Sequence, residues 1–245
     1  MNDATTARGR VRIEPGAKRL RAFVDGHLVF DTIRPLYVWE IPYFPVYYVP
    51  ADDVVATLVA TGEVTRSPSR GDGHQHDVKV AIATVPGAAT TFPDSPFEEL
   101  RDHVRFEWDA LSAWFEEDEE VFTHPRSPYV RIDVLPSSRH VVVKAGDTVL
   151  ADSTHAHVLH ETGLRPVWYI PRLDVRMDLL APSNTITHCP YKGTTVHLSA
   201  PLDGETKDVA WSYPTPLPES ERVAGLVAFY DDRVTVLVDG VPVTK

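Results

Sequence analysis

The apolar residues of the chain fall in short runs, and most runs end at a residue that favours a turn. Residues 21–30 form two such runs on either side of Asp25-Gly26, a dipeptide typical of tight β-hairpins. Residues 140–150 repeat this arrangement about a single glycine, and residues 234–238 form one more run ahead of Asp239-Gly240. The pattern therefore predicts strands that pair through tight turns.

Prolines limit the helices that the chain can form. The sequence has 21 prolines spread along its length, and a proline within a helix removes a backbone hydrogen bond and clashes with the preceding turn. Only short helices are predicted, at residues 52–60 and 173–180, and at residues 96–104 and 219–224. Together these patterns predict a mainly β fold of small sheets with short helices.

The same order of motifs occurs twice along the chain. The segment VRIE opens the first copy and VRID opens the second, and each is followed by a glycine turn and an apolar run that ends in an acid and a hydroxyl. From Glu40 to Pro93 most matches keep a spacing of 121 residues, as between Glu40 and Glu161, and the spacing drifts slightly after that. Further matches are PVYYVP with PVWYIP, and Phe92-Pro93 with Tyr213-Pro214. The sequence predicts a tandem duplication, with domains at residues 11–128 and 129–245.

Charge limits the partners of the protein. The formal net charge is −11, and a surface that binds nucleic acid needs an excess of basic residues to displace counterions from phosphates. No nucleic-acid partner is therefore predicted. Acid is concentrated at residues 116–120, and this run is interpreted as a solvated loop.

The expected location is the cytoplasm. The segment MNDATTARGR at the start has no apolar stretch of the kind found in a signal peptide, and no apolar run is long enough to span a membrane. Cys189 is the only cysteine, so no disulfide can form within the chain. A single thiol without an export signal fits a reducing compartment and no membrane partner.

Five motifs of the second copy give the chain a family resemblance. They are GDTVLADS at residues 146–153, VWYIPRLDV at 167–175, HCPYKG at 188–193, AWSYP at 210–214 and GLVAFY at 225–230. In this combination the second copy resembles the DUF427 family, a set of domains of unknown function of which some carry a nucleotidyltransferase-like label. The first copy is more diverged, with SPSRG in place of CPYKG and TTFP in place of WSYP. The resemblance implies a small, tent-like β domain with a pocket beneath the motif loops, and it implies no particular activity.

Cys189 and Lys192 are the candidate catalytic residues. A cysteine acts as a nucleophile when a nearby positive charge stabilises its thiolate, and Lys192 follows Cys189 across a predicted turn. The general base would then be His160 or His197, brought close by the fold. Two alternatives stay open: Cys189 lines a pocket without reacting, or it is a small buried residue beside a tight turn at residues 190–193.

A second set of residues points to ligand binding. Lys192 corresponds to Arg70 in the first copy, so a cation is kept where the thiol is not, and Arg165 adds a forked donor suited to carboxylate or phosphate. Aromatic residues are dense in the same copy, as in many small-molecule pockets. The candidate ligand-binding residues are Glu161, Arg165, Trp168, Tyr169, Tyr191, Trp211 and Tyr213. The alternative is that the aromatic side chains fill the core and the charges lie on the surface.

Other side chains of the repeat also have structural alternatives. Trp168 and Tyr169 are adjacent, so in a strand they face opposite sides, and one is expected in the core and the other at a pocket or interface. Asp53 and Asp174 stand at matching places in the two copies. They would either cap the short helices that follow or take part in chemistry.

No metal or cofactor is predicted. His155 and His157 would share one face of a strand, but zinc sites in tent-like domains use paired cysteines, and this chain has one cysteine. Neither histidine recurs in the first copy, where Arg34 and Leu36 stand at the corresponding positions. The chain also lacks a phosphate-binding glycine loop and a serine nucleophile elbow.

The favoured prediction is a protein that binds a small anionic or aromatic ligand in a pocket of the second domain. One alternative is a hydrolase or transferase that acts through Cys189 and Lys192. The other is a structural or protein-interaction module, for which a homodimer is one form. Whether the protein is an enzyme stays open at this point.

Overall fold

A computed structural model describes residues 5–6, 9–202 and 205–243 of the chain. The chain divides into two compact units, Met1–Ser127 and Pro128–Lys245. Each unit is built mainly from antiparallel strands. The mainly β fold predicted from the apolar pattern is therefore confirmed.

The first unit contains a long sheet and a short sheet. The long sheet has the strand order β3-β6-β7-β11-β10-β9-β8, and the short sheet has the order β13-β12-β4-β5, while β1 pairs with β2. The strands are β1 (Thr5–Thr6), β2 (Gly9–Arg10), β3 (Arg12–Pro15), β4 (Leu20–Val24), β5 (His27–Thr32), β6 (Leu36–Trp39), β7 (Val46–Pro50), β8 (Thr57–Ser67), β9 (Gly71–Lys79), β10 (Thr84–Thr91), β11 (His103–Phe106), β12 (Ala113–Glu116) and β13 (Glu119–Glu120).

The second unit repeats this topology. Its short sheet has the order β16-β15-β23-β24, and its long sheet consists of two parts, β14-β17-β18 and β19-β20-β21-β22. An isolated antiparallel bridge between Ile170 and Val227 joins the two parts, so the strand order matches that of the first unit. The strands are β14 (Ile132–Pro136), β15 (Val141–Ala145), β16 (Thr148–Ser153), β17 (His157–Glu161), β18 (Val167–Tyr169), β19 (Ala181–Cys189), β20 (Gly193–Leu202), β21 (Glu205–Ser212), β22 (Val227–Phe229), β23 (Thr235–Val238) and β24 (Val241–Pro242).

Tight turns form where the sequence predicts them. The turn between β4 and β5 has Asp25 and Gly26 at φ values of 47° and 79°, a left-handed conformation that glycine and aspartate tolerate. Asp239 and Gly240 adopt the same conformation between β23 and β24. The hairpin about Gly146 forms between β15 and β16. All three predicted turns are thus confirmed.

Each unit has a hydrophobic core to which both of its sheets contribute. In the first unit, alternate residues of β4 are buried and pack in one cluster with Phe30 of the short sheet and with Val49 and Phe106 of the long sheet. In the second unit, Val143 of the short sheet clusters with Ile170, which adjoins the long sheet. The period of two along each strand therefore directs one face of each sheet into the core.

The helices of the described residues are 3-10 segments, and all except Pro218–Val223 are shorter than the sequence predicts. They span Ala51–Asp53, Glu98–Leu100, Trp108–Ala110, Arg172–Asp174, Met177–Leu179 and Pro218–Val223. The helix predicted at residues 52–60 is wrong beyond its first turn, because Thr57 already begins β8. The β-branched residues Val54, Val55 and Thr57 favour extended backbone over helix, which accounts for the difference. None of these helices is long and apolar enough to cross a membrane.

The acidic run forms a hairpin in which residues 117–120 are exposed and Glu116 is buried. Glu116 lies at the end of β12, is only 4% exposed, and accepts hydrogen bonds from the Tyr47 hydroxyl and from Lys18 Nζ. The alternation of β12 buries Trp114 and Glu116 on the same face. The prediction of solvation was therefore wrong for Glu116, because strand periodicity outweighs the polarity of one side chain.

Candidate functional site

The second unit contains two adjoining cavities. One, termed the apolar cavity, has a volume of about 260 Å³, and the other, termed the polar cavity, has a volume of about 230 Å³. The apolar cavity alone is lined by Val143, Pro166, Trp168, Ile170, Phe229, Asp231, Val236 and Val243. The polar cavity alone is lined by Leu159, Glu161, Tyr169, Thr187, Lys192, Thr195 and Tyr213. Both are lined by Leu164, Arg165, Val167, Trp211 and Tyr230.

Strand β18 divides its aromatic side chains between the two cavities. Trp168 and Ile170 line the apolar cavity, and Tyr169, which lies between them in sequence, lines the polar cavity. This follows from the alternation of side chains along a strand. Tyr169 is 1% exposed and belongs to a core cluster as well as to the cavity wall. The guanidinium carbon of Arg139 lies 5.5 Å from the centre of the Trp168 ring.

An ion pair between Glu161 and Lys192 forms one wall of the polar cavity. Lys192 Nζ donates a hydrogen bond to Glu161 Oε2, and the side chains are only 11% and 8% exposed for Lys192 and Glu161. Glu161 ends β17, and Lys192 lies in the turn between β19 and β20. Gly193 follows at a φ of 95°, a conformation that favours glycine. The turn therefore holds the lysine against the carboxylate.

Two buried phenols complete the same wall. The indole N–H of Trp211 points to the Tyr169 hydroxyl at 3.4 Å, and the two rings meet edge to face. Tyr213 is 4% exposed, and its ring centre lies 6.5 Å from that of Tyr169. Burial raises the pKa of both tyrosines well above the usual value. Both therefore stay protonated near neutral pH and present neutral hydroxyl groups.

A buried histidine contacts two threonines that line the polar cavity. His197 Nε2 is 3.1 Å from the hydroxyl oxygens of Thr187 and Thr195, which line the cavity. His197 Nδ1 is 3.4 Å from the hydroxyl of Tyr230. Burial lowers the pKa of His197, so the ring is neutral near pH 7. Thr195 and His197 share a face of β20 because they are two residues apart.

An exposed loop borders both cavities. Residues 162–166 are exposed, and within them Leu164 is 64% exposed. Arg165 forms an ion pair with Asp231 at 3.0 Å between Arg165 Nη1 and Asp231 Oδ2. The loop precedes β18, and Asp231 follows β22, so this ion pair connects segments on either side of the bridge that joins the long sheet.

Most of the predicted ligand-binding residues come together at these cavities. Glu161, Arg165, Tyr169, Trp211 and Tyr213 line the polar cavity together with Lys192, and Trp168 lines the apolar cavity. Tyr191 lines neither cavity. Their role in binding stays a prediction that this geometry supports.

Cys189 lies next to tyrosines of the polar cavity without lining a cavity itself. It is partly buried, packs against the cluster that contains Tyr169 and Tyr213, and lines neither cavity. Lys192, which was expected to stabilise its thiolate, donates to Glu161 instead. His160 has an exposed side chain at the end of β17. A catalytic role for Cys189 and Lys192 stays a prediction, and Cys189 is not among the residues that line the apolar and polar cavities.

The matching aspartates bind hydroxyl groups and do not cap helices. Asp53 accepts a hydrogen bond from Thr32 at 2.6 Å, and Asp174 accepts one from Ser153 at the same distance. The 3-10 segments that contain them have no side-chain cap. Within the described ranges, no three His, Cys, Asp or Glu side chains lie close enough together to hold a metal ion.

Sequence reasoning missed several residues that line the cavities. Thr187, Thr195, Tyr230 and Asp231 were not among the candidates, although they occupy the walls described above. Tyr230 ends the GLVAFY motif, so the family resemblance was a signal for it. The two threonines carried no such signal, because only the pairing of β19 with β20 places them opposite each other.

In the first unit a guanidinium replaces the lysine of the polar cavity. Arg70 pairs with Glu40 and also donates to the Tyr48 hydroxyl at 2.8 Å. Arg105 Nε donates to the same carboxylate at 3.0 Å. Arg70 also lies over the Phe92 ring, 5.0 Å from its centre. Among the residues that the structure describes, Glu40 therefore has two cationic partners and Glu161 has one.

In one cross-strand pair, the larger side chain lies on different strands in the two units. In the first unit Thr90 of β10 pairs with Arg105 of β11. In the second unit the corresponding pair is Trp211 and Ala228. The large side chain is thus Arg105 on β11 in the first unit and Trp211 on β21 in the second unit. Ala228 leaves the space in which Trp211 contacts Tyr169.

Tryptophans occupy the position of the apolar cavity in the first unit. Trp114 pairs with Ala22 across β12 and β4, where the second unit has Val236 opposite Val143. The rings of Trp108 and Trp114 stack with centres 4.5 Å apart. The second unit has smaller side chains at both places, valine for Trp114 and aspartate for Trp108, and both of these residues, Val236 and Asp231, line the apolar cavity.

Comparison with known proteins agrees with the repeat. The family model described as a domain of unknown function (DUF427) matches residues 12–117 and again residues 133–240. The search of curated proteins found no match. Because the two matches together span most of the chain, the protein belongs to the DUF427 family and carries two copies of its domain in tandem.

Proposed function

We propose that the second unit binds a small organic ligand across its two cavities. A flat aromatic body would lie in the apolar cavity against Trp168 and Trp211, and a polar group would enter the polar cavity. The observation that carries the proposal is the wall shared by both cavities, in which Trp211 and Tyr230 face each of them. Ligand sites are commonly apolar and aromatic spaces with a few placed polar groups, and this arrangement has both parts.

The first unit supports the proposal by contrast. It has the same strand order, yet Trp108 and Trp114 take up the space that corresponds to the apolar cavity. A fold that needed only a filled core could keep both copies filled, because voids lower stability through lost contacts. An open interior retained in one copy is therefore consistent with a ligand that enters it.

The test introduces a tryptophan of the first unit at the corresponding position of the second unit. Val236→Trp places at position 236 the residue that the first unit has at Trp114, and it should fill the apolar cavity. Binding of aromatic fragments, measured by protein NMR titration of the indole N–H signals, should be lost in this variant. The matched control is Leu173→Trp, which adds the same side chain at a residue that is 98% exposed.

Circular dichroism and the melting temperature would show that Val236→Trp still folds. Fragment binding that is unchanged in a folded Val236→Trp protein would contradict the proposal. Loss of binding in both tryptophan variants would contradict it as well, because the effect would then not depend on the cavity.

A further inference from the structure

The charged side chains around the polar cavity restrict the kind of polar group that a ligand can place there. Glu161 and Lys192 are both nearly buried and are paired with each other. Arg165, the other cation of the wall, is paired with Asp231 at 3.0 Å. Each positive charge thus already has a carboxylate partner, so the wall is close to neutral.

We infer that the polar cavity takes an uncharged group that both donates and accepts hydrogen bonds, such as a primary carboxamide or the amide edge of a heteroaromatic ring. This inference rests on the proposed function and names the chemistry of the ligand's polar end. It replaces the anion that Lys192 and Arg165 suggest when the sequence is considered without their partners.

The ion pair can bind such a group without separating. An ammonium has three donors and a carboxylate has two oxygens. In the part of the chain that the structure describes, the hydrogen bond between Lys192 Nζ and Glu161 Oε2 uses one of each. An amide carbonyl can accept from the ammonium while its N–H donates to the carboxylate. The amide therefore complements both members of the pair.

An anion would have to compete with Glu161. It would either displace the carboxylate from Lys192 or lie beside it, and both arrangements leave a negative charge poorly compensated beside two nearly buried side chains. Breaking a buried pair is strongly unfavourable because the remaining charge has lost its solvation. The second unit also has Ala228 where the first unit has Arg105, so the second cation that contacts Glu40 has no counterpart at Glu161.

The remaining polar groups of the cavity carry no charge. Tyr169 and Tyr213 stay protonated because burial raises their pKa values. Thr187 and Thr195 present hydroxyl groups, and His197 behind them is neutral because burial lowers its pKa. These groups can donate to or accept from a neutral ligand, and none of them adds a positive charge for an anion.

The experiment compares probes of equal shape and different charge. The full chain is titrated at pH 7 with benzamide and benzoate, and with indole-3-carboxamide and indole-3-carboxylate, and the indole N–H signal of Trp211 is followed by NMR. Each amide should bind at least about tenfold more tightly than its carboxylate. Val236→Trp should abolish the shifts of both members of each pair.

A charge-removing variant makes the test sharper. Glu161→Gln keeps the shape of the side chain and leaves Lys192 without its carboxylate, so the preference should move toward the carboxylate probes by about tenfold or more. The matched control is Glu219→Gln, the same change at an exposed residue, which should leave the preference unchanged. The melting temperatures of both variants would report whether they fold.

The outcomes separate this inference from the proposed function. Carboxylates that bind as tightly as the amides in the unmodified protein, with binding lost in Val236→Trp, would overturn the inference and leave the proposed function standing. An unaltered preference in a folded Glu161→Gln protein would also overturn it. Absence of any shift with all four probes would overturn both.

Discussion

Buried polar residues in the second unit differ in what they contact, and this decides which chemistry each can support. Lys192 is held by a carboxylate, and the phenols of Tyr169 and Tyr213 are held by the surrounding core. Cys189 belongs to the same core cluster, but its side chain does not reach either cavity. At this scale the structure gives Lys192 a carboxylate partner, Glu161, in place of the thiol of Cys189.

The accessibility of Cys189 provides a direct measure of its role. In the folded protein, iodoacetamide should label the thiol roughly tenfold more slowly than an exposed thiol, because partial burial limits the approach of the reagent. The comparison is Leu173→Cys in a Cys189→Ser background, followed by mass spectrometry. Rapid labelling of Cys189 in the native protein at neutral pH would instead support a nucleophilic role.

Asp208 should make the second unit sensitive to acid. Hydrogen bonds from Ser199, Thr185 and Ser183 lower the pKa of its carboxyl to about 2, from a usual value near 3.8. A lowered folded-state pKa contributes stability above the unfolded-state pKa, and this contribution is lost as the pH falls from about 4 to about 2. Ser199→Ala should therefore raise the pKa measured by NMR. A pKa unchanged by Ser199→Ala would contradict this assignment.

At the scale of elements, the exchanged cross-strand pair shows how the two copies keep the same topology with different interiors. Across β10 and β11 the bulk lies on Arg105, and across β21 and β22 it lies on Trp211. Cross-strand neighbours on one face contact each other directly, so a change in one is compensated most easily by the other. The two positions should therefore be energetically coupled.

A double-mutant cycle tests this coupling. Trp211→Thr alone should lower stability by about 3 kcal/mol by leaving a void, and Ala228→Arg alone should lower it by about 1–3 kcal/mol by overpacking. The double variant copies the first unit and should lose less than the sum, by about 0.5–3 kcal/mol, because the arginine can then reach Glu161. Chemical unfolding followed by circular dichroism gives the four values. Simple additivity would show that the two positions are independent.

The elements also show which parts of the fold could be predicted from sequence. The turns at Asp25 and Asp239 are determined by local backbone preferences, so the sequence identified them. Strand β8 was missed because most of its residues are exposed, and without a buried face its apolar residues show no period of two. The burial of Glu116 was missed for a different reason, because it depends on the partners Tyr47 and Lys18, which are far away in the sequence.

In the site as well, features that depend on single residues could be predicted, and features that depend on distant partners could not. Motif residues such as Trp168, Tyr169 and Trp211 were identified because their aromatic side chains stand out in the sequence. The pairing of Lys192 with Glu161 could not be predicted, because the two residues are far apart in the chain and only the fold brings them together. From the sequence alone, Lys192 therefore appeared available to bind an anion, and only the structure shows its pairing with Glu161.

At the scale of the whole molecule, the two copies of the domain differ in the size of the side chains at one place in the interior. Two copies of one DUF427 domain share a strand order. One stacks Trp108 on Trp114, and the other has smaller residues at the corresponding positions, which line a cavity of about 260 Å³. A core without voids is the more stable arrangement. The two copies thus have different physical properties although they have the same topology.

The isolated bridge in the second unit has a consequence for how its interior can adjust. In the first unit β7 and β11 pair over three successive residues, whereas in the second unit the two parts of the long sheet meet through two backbone hydrogen bonds, of 2.8 and 2.9 Å, between Ile170 and Val227. Few bonds must lengthen for this seam to widen, and Ile170 lines a cavity beside it. We therefore expect the seam between Ile170 and Val227 to be the place where small movements of one half-sheet against the other change the interior volume of the second unit.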